Sequence, residues 1–417
     1  MSTSKVTPAH ESGAPLDTSA HPFSAIFKRL RQGDSGLVPI IIGLVVLGAY
    51  FQVRSSDFLS SGNIVNLFVQ ASIFILLGMA EIWVLLLGDI DLSLGFVTGI
   101  GAATAVILVD QQFHWPWFFA LPLAVIVTTL IGMLQGLIVI RLKLPSFIVT
   151  LAGFLIWEGV LIFLVDSQGL GGTVPVHEKV LYDLVYANLS PLATWLFVIV
   201  VVAVMSFLML SKARSRRANG LESTPFVISL VKIIALALVG IVLVLIFNSN
   251  RGTFTVLRGM PYAIPLDFVV LALGSFILTR TKAGRYIYAI GGNTEAARRA
   301  GVNVNGYRLL AFMLAGATAG VAGLLYASQL GGISDAIPGG PLVLFAVASA
   351  VIGGTSLFGG RGKMIHAVIG GFVIATIYNG MALIGMSAAT QYMATGLVLL
   401  AAVTIDSLAR RNSTNSR

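Results

Sequence analysis

The chain has 417 residues, 57% of them hydrophobic and 10% charged, a net charge of +9, a mean hydropathy of +0.93 and no cysteine. A soluble domain carries about 25% charged residues, so this composition excludes one. The lack of cysteine excludes disulfides, thiolate metal sites and cysteine nucleophiles.

Residues 1–36 are polar and rich in Ser, Pro and Ala, with no apolar core before a cleavage site. They read as a disordered cytoplasmic tail, with Lys28, Arg29 and Arg31 ahead of the first apolar run. Apolar runs then follow at 37–53, 64–87, 92–109, 117–140, 145–165, 191–210, 225–247, 263–279, 307–329, 342–353, 364–384 and 391–408. A helix needs about 20 apolar residues to cross the bilayer core. The runs predict an all-α, polytopic helical membrane protein with roughly 10–12 spans. A β-barrel would show short alternating strands instead. The run at 342–353 is too short for a regular crossing, as in the broken helices of transporters. The transmembrane domain is expected over 37–408, with a cytoplasmic tail at 409–417.

Basic residues set the expected orientation. With both termini cytoplasmic, Arg141, Lys143, Lys212, Arg214, Arg216, Arg217, Arg280, Lys282, Arg285, Arg298, Arg299, Arg308, Arg361 and Lys363 fall inside. Only Arg54, Lys179, Arg251 and Arg258 fall outside, the asymmetry of the positive-inside rule. The positive charge is therefore read as cytoplasmic loops against membrane lipid, not as a nucleic-acid site. The five histidines are scattered, with no pair at metal-ligand spacing.

Candidate functional residues follow in chain order. Glu81 and Glu158 lie within apolar runs, where a carboxyl is costly and often functional; hydrogen bonding between helices is the other reading. Asn66, Gln70, Asn379 and Gln391 are further pathway candidates, although amides also join packed helices. Asp89 and Asp91, with Ser93, stand where they can cap a helix starting near Leu92. Trp115 and Trp117 suit an interface. Pro145 suits a first helical turn, and Ser146 is small enough to pack. The outer loop at 166–190 is either a docking surface or a connector. Gly353 and Gly354 open a stretch through Gly360 that permits a sharp re-entry. Gly88–Gly95 and Gly353–Gly360 align at both end glycines and at Leu92 with Leu357, a faint internal repeat. The stretch Gly359–Lys363 is not a phosphate loop. Leu357 occupies the place of the first glycine and Met364 that of the magnesium-binding hydroxyl.

The polar loop at 280–306 is the most informative segment. Asn293 or Thr294 can N-cap a short helix, Glu295 falls in its first turn, and Arg298 and Arg299 fall near its end. Gly301 can close the helix in the left-handed conformation. Ala296 and Ala297 leave a face open to close approach, and Gly291 and Gly292 give the chain freedom just before it. A plain basic loop helix would look similar.

Glu295-Ala296-Ala297, then three residues and Gly301, resembles the cytoplasmic loop of ATP-binding-cassette importer permeases. The run Gly284 to Asn293 is similar to permeases of bacterial importers for ribose, xylose and related monosaccharides. So are Gly88-Asp89-Ile90-Asp91-Leu92-Ser93, Pro145-Ser146-Phe147-Ile148-Val149-Thr150-Leu151 and Gly353-Gly354-Thr355-Ser356-Leu357, which occur in the family order. The chain departs from other importers in having Ala311-Phe312-Met313-Leu314 where Ile-x-Leu-Pro would follow. The resemblance implies that Gly291, Gly292, Asn293, Glu295, Ala296, Ala297, Arg298 and Gly301 form a coupling helix seated on a separate ATPase. It implies a homodimer, an external sugar-binding protein, and no cofactor in this chain, ATP and magnesium being bound by the partner ATPase. The additional segment near 190–261 matches the layout of the xylose-type members. The alternatives are an ion-coupled secondary transporter, or the same architecture carrying a nucleoside or branched-chain amino acid.

Overall fold

The computed structural model describes residues 37–110, 113–220, 226–337 and 339–414, so the predicted tail at 1–36 lies outside the described residues. Helices α1 (Leu37–Arg54), α2 (Ser61–Leu85), α3 (Leu94–Asp110), α4 (Trp117–Leu142) and α5 (Ser146–Asp166) open the fold. Strand β1 (Thr173–Pro175) and α6 (Lys179–Tyr186) precede a long pair, α7 (Pro191–Ala218) and α8 (Phe226–Asn248). Then come α9 (Ala263–Arg280), α10 (Lys282–Gly292), α11 (Thr294–Arg299) and α12 (Val304–Leu330). Strand β2 (Gly332–Ser334), α13 (Gly339–Ile352), α14 (Met364–Leu383) and α15 (Ala388–Thr414) complete it. Among the described residues eight helices are long and apolar enough to cross a membrane, namely α2, α4, α5, α7, α8, α9, α12 and α14. Shorter apolar stretches lie in α1, α3, α13 and α15. The chain is thus an all-α polytopic membrane protein, and each predicted apolar run falls on a helix.

The helices differ from the runs mainly at their ends. The last helix continues to Thr414 rather than stopping at 408, because hydropathy marks where the oil ends and not where hydrogen bonding ends. The helix predicted near Leu92 starts at Leu94, and Pro145 sits just before α5 rather than in its first turn.

The core is built on α2, buried from Ala71 to Leu85, with α12, α13 and α14 packed around it. Helix α12 also crosses α3 and α4, and small residues let the backbones approach. A β-carbon on Gly316 would lie 2.3 Å from the Thr128 carbonyl oxygen. By contrast α7 and α8 pack chiefly on each other and expose apolar side chains such as Ile199, Val200, Leu238 and Val242.

The molecule has two chemically different ends. One gathers α10, α11, the start of α12 and the turns after α2, α4 and α13, with most of the described basic side chains. The opposite end holds the antiparallel pair β1–β2, with Val174 opposite Ile333, and α6, held by Ser328 accepting from Val185 N and donating to the Tyr182 carbonyl at 2.8 Å.

Candidate functional site

At the basic end α10 is amphipathic, with Gly284, Ile287 and Ile290 buried and Lys282 and Arg285 exposed. Tyr288 donates to the Gly362 carbonyl at 2.7 Å, and burial pushes its phenol up, so it remains a donor. The chain breaks at Asn293, whose side chain accepts from Ala296 N at 2.9 Å and N-caps α11. Exposed Glu295 pairs with Arg298 at 3.4 Å and Arg299 at 3.3 Å, contacts that align the face but add little stability. The end closes as a Schellman motif. Val302 N donates to Ala297 O at 3.1 Å and Gly301 N to Arg298 O at 3.0 Å, with Gly301 at φ +81°. Ala296, Glu295, Arg298 and Arg299 form an exposed face. Ala297 does not belong to that face; it is buried against the body, because a six-residue helix needs an apolar anchor of its own.

Gly291 and Gly292 end α10 in ordinary helical conformation, so freedom is not their role. Gly291 permits contact: a β-carbon there would lie 1.8 Å from the Leu86 carbonyl oxygen and 2.6 Å from Gly360 N. Those two atoms are bonded to each other, Gly360 N to Leu86 O at 2.9 Å. Gly88 at φ +82° and Gly359 at φ +83° turn the chain on either side. The two stretches of the faint repeat therefore meet, backbone on backbone, beneath the end of α10.

A buried polar cluster continues inward from this junction. Asp89 forms a two-pronged ion pair with Arg308 of α12. Asp91 Oδ1 accepts from Ser93 N at 2.9 Å and Ser93 Oγ at 2.6 Å, a turn just before α3 that bonds none of that helix's own amides, so neither Asp91 nor the Arg308-paired Asp89 caps it as expected. Burial pushes the Asp91 carboxyl up to about 6. Glu81 Oε1 accepts from Asp91 N at 3.4 Å, while its Oε2 has no hydrogen-bond partner among the described residues. Gln135 donates to Asp91 Oδ2 at 3.2 Å and accepts from Trp157 Nε1 at 2.6 Å. Ser146 Oγ accepts from Ile90 N at 3.2 Å, and Thr150 Oγ1 donates to the Ile90 carbonyl at 3.2 Å. These bonds set Asp91 beside Glu81, one turn inside the end of α2, so α3 starts recessed.

Helix α13 is short as well, 14 residues or about 21 Å. Its start meets that of α3: a β-carbon on Gly95 would lie 2.1 Å from the Gly339 carbonyl oxygen. Two helix N-termini, each the positive end of its dipole, converge inside the bundle. Beside them a groove of about 470 Å³ runs between α3, α5, α13 and α15, lined by Phe154, Pro341, Phe345, Tyr392 and Thr395 among others.

The predicted pathway residues do not gather in one place. Half-buried Glu158 sits one helical turn from groove-lining Phe154, on the same face of α5. Gln391 adjoins groove-lining Tyr392, its amide nitrogen donating to the Met386 carbonyl at 3.0 Å. Glu81 belongs to the buried cluster, and Asn379 accepts from Asn63 at 2.9 Å near the opposite end. Asn66 is exposed on α2, and Gln70 is half-buried. Gly353 allows close packing, a β-carbon there falling 1.8 Å from the His366 carbonyl oxygen; Gly354 turns at φ +107°. Sequence reasoning missed Arg308, Gln135 and Tyr392, since only the fold brings them beside their partners.

Recessed helices meeting at a groove, joined to a capped polar helix outside the bundle, define a membrane transport subunit. The family model for the branched-chain amino acid transport system permease component matches residues 63–403. The chain belongs to this family, and it is a multi-pass inner-membrane transport permease, not an enzyme. It is 35% identical to the xylose transport system permease protein XylH of Escherichia coli strain K12, over 94% of this chain and 97% of that one. The ribose import permease protein RbsC of Haemophilus influenzae is 29% identical, over 88% and 91%. The D-allose transport system permease protein AlsC of Escherichia coli strain K12 is 28% identical, over 88% and 90%. No solved structure gives a significant match.

Proposed function

We propose that the chain is the membrane subunit of an ATP-binding-cassette importer that carries a monosaccharide, xylose or a related aldose, inward. The observation that bears most weight is the capped α11 seated through Gly291 on the turns that lead into α3 and α14. A push on α11 is delivered to backbone rather than to flexible side chains, and passes to the recessed start of α3. The concentration of cationic side chains at this end supports a cytoplasmic placement. A separate ATPase would grip the exposed face of Glu295, Ala296, Arg298 and Arg299. Differential affinity of that ATPase for two arrangements of the bundle supplies the driving free energy. The groove beside α13 has exposed walls at Leu151 and Leu344, which a second copy of the chain would close into a path. The opposite end, with β1, β2 and α6, would receive a sugar-loaded binding protein.

The cargo reading draws on the sugar permeases among the relatives and on the α7–α8 pair filling the predicted additional segment. Reconstitution in liposomes with the partner ATPase tests it. Binding protein loaded with xylose is expected to stimulate ATP hydrolysis and uptake more than ribose- or allose-loaded protein. Stimulation by ribose or allose alone removes the xylose assignment. Uptake abolished by an uncoupler while ATP is maintained replaces the ATPase reading with an ion-coupled one.

A further inference from the structure

A second cavity has no place in the transport scheme. It lies between the α7–α8 pair and the body formed by α2, α9 and α14, with a volume of about 260 Å³. An apolar cavity of about 150 Å³ already holds benzene, so this one has room for a longer hydrocarbon group. Its walls are aromatic and aliphatic. Phe68 stacks edge-on with Phe247 at 5.3 Å and Phe372 at 4.8 Å, and Phe197 meets Phe268 at 5.5 Å. Wall residues Val239 and Phe268 are 57% and 40% exposed, so the cavity reaches the apolar flank that α7 and α8 present to the bilayer.

One carboxyl stands in this oil. Asp267 is 8% exposed, lines the cavity, and its Oδ1 has no hydrogen-bond partner among the described residues. Ser72 hydrogen-bonds the Asp267 carboxyl, and its hydroxyl also reaches the Phe68 carbonyl at 3.1 Å, so Oδ1 is the oxygen left over. A buried carboxylate oxygen left unpartnered is costly, and a ligand that brings a donor relieves it. Asp267 is four residues into α9, about 6 Å from that helix's start at the opposite end of the molecule. It therefore stands near the end of a spanning helix rather than at its middle, on the side from which a lipid headgroup would reach it.

We propose that this cavity is a binding site for a membrane lipid with a primary ammonium headgroup. An acyl chain fills the aromatic slot, and the ammonium donates to Asp267. The lipid joins the α7–α8 pair to the body across a seam that protein side chains leave open. A sugar is excluded as occupant by the walls, which offer only Asp267 and Ser72 to many hydroxyls. A choline lipid fits the slot but has no N–H to give.

The test is native mass spectrometry of the full chain, extracted from liposomes of equal phosphatidylethanolamine and phosphatidylcholine. The wild type is expected to retain one tightly held phosphatidylethanolamine in preference to phosphatidylcholine by about tenfold, the worth of one charge-assisted hydrogen bond. Asp267→Asn, which keeps the shape and removes the charge, is expected to lose the preference. Val239→Trp, at the mouth, is expected to lose the tightly held lipid of either kind. Equal retention of the two lipids by the wild type, an unchanged preference in Asp267→Asn, or xylose found in the site each overturns the proposal. Should Asp267→Asn fail to insert, Val239→Trp decides, since a retained lipid there means it was never in the cavity.

Discussion

Gly291→Ala is expected to abolish uptake, although it adds a single methyl group to a helix that alanine ordinarily stabilises. The methyl would sit 1.8 Å from the Leu86 carbonyl oxygen and 2.6 Å from Gly360 N, both backbone atoms. Neither can rotate away as a side chain can. Relief requires α10 to lift off the turns, or the turns to part and break the bond between Gly360 and Leu86. Overpacking of this kind costs about 1–3 kcal/mol, and that bond, where it breaks, about 1 kcal/mol more. More important for function, α11 loses its seat. The neighbour supplies the control: a β-carbon at Gly292 meets nothing within 4 Å. Gly292→Ala is therefore expected to transport normally and to gain about 0.5–1 kcal/mol from reduced backbone freedom. Uptake and thermal unfolding of the two variants in parallel check the contrast. Equal behaviour of the pair would mean that the close contact at Gly291 is not what transmits force.

Breaking the pair between Asp89 and Arg308 is expected to have the second-largest effect. Asp89 is 5% exposed, and Arg308 meets it with two nitrogens from the start of the second turn of α12. Removing Arg308 strands the buried Asp89 charge, a loss of about 3–5 kcal/mol. Asp89→Asn leaves an Arg308 side chain that is 30% exposed and should cost less than Arg308→Ala, and the double variant should lose much less than the sum of the two. Arg308→Lys should not restore stability fully, since an ammonium cannot reproduce the two-pronged contact. A double-mutant cycle in thermal or denaturant unfolding measures the coupling, and additive losses would contradict it. The location makes this pair more than a brace. It ties the turn after α2 to the helix that follows α11, so on the proposed function a push on α11 would reach the Asp91–Glu81 cluster through one fixed contact.

Much of this could be read before any coordinates. The apolar runs located the helices because lipid demands continuous oil along a span. Asn293, Glu295, Arg298 and Gly301 disclosed the short helix and its closure because capping is local chemistry, decided by neighbours within four residues. Asp91 and Ser93 disclosed the turn that precedes α3, local chemistry again, though they do not cap the helix. Long-range matters were hidden. The glycines at 291 and 292 look alike in a string, yet one touches two backbones and the other touches nothing. Glu81 and Glu158 likewise look alike, each a lone carboxyl in an apolar run. The first is stitched to Asp91 and the second lies on the groove side of α5. Arg308 read as one more inner cation until the fold set Asp89 beside it. Asp267 carries the same signal, a lone carboxyl in the apolar run at 263–279, and sequence reasoning missed it; what the string hides is the cavity that α7 and α8 leave beside it.

The central claim is that force enters through α11. The chain has no cysteine, so a single introduced thiol is unique. Ala296→Cys, on the exposed face of α11, should crosslink to the partner ATPase, and the yield should change between nucleotide-free and ATP-bound complexes. Leu170→Cys, exposed at the opposite end, should not crosslink to it in either state. No crosslink from position 296, or one from position 170, contradicts the account.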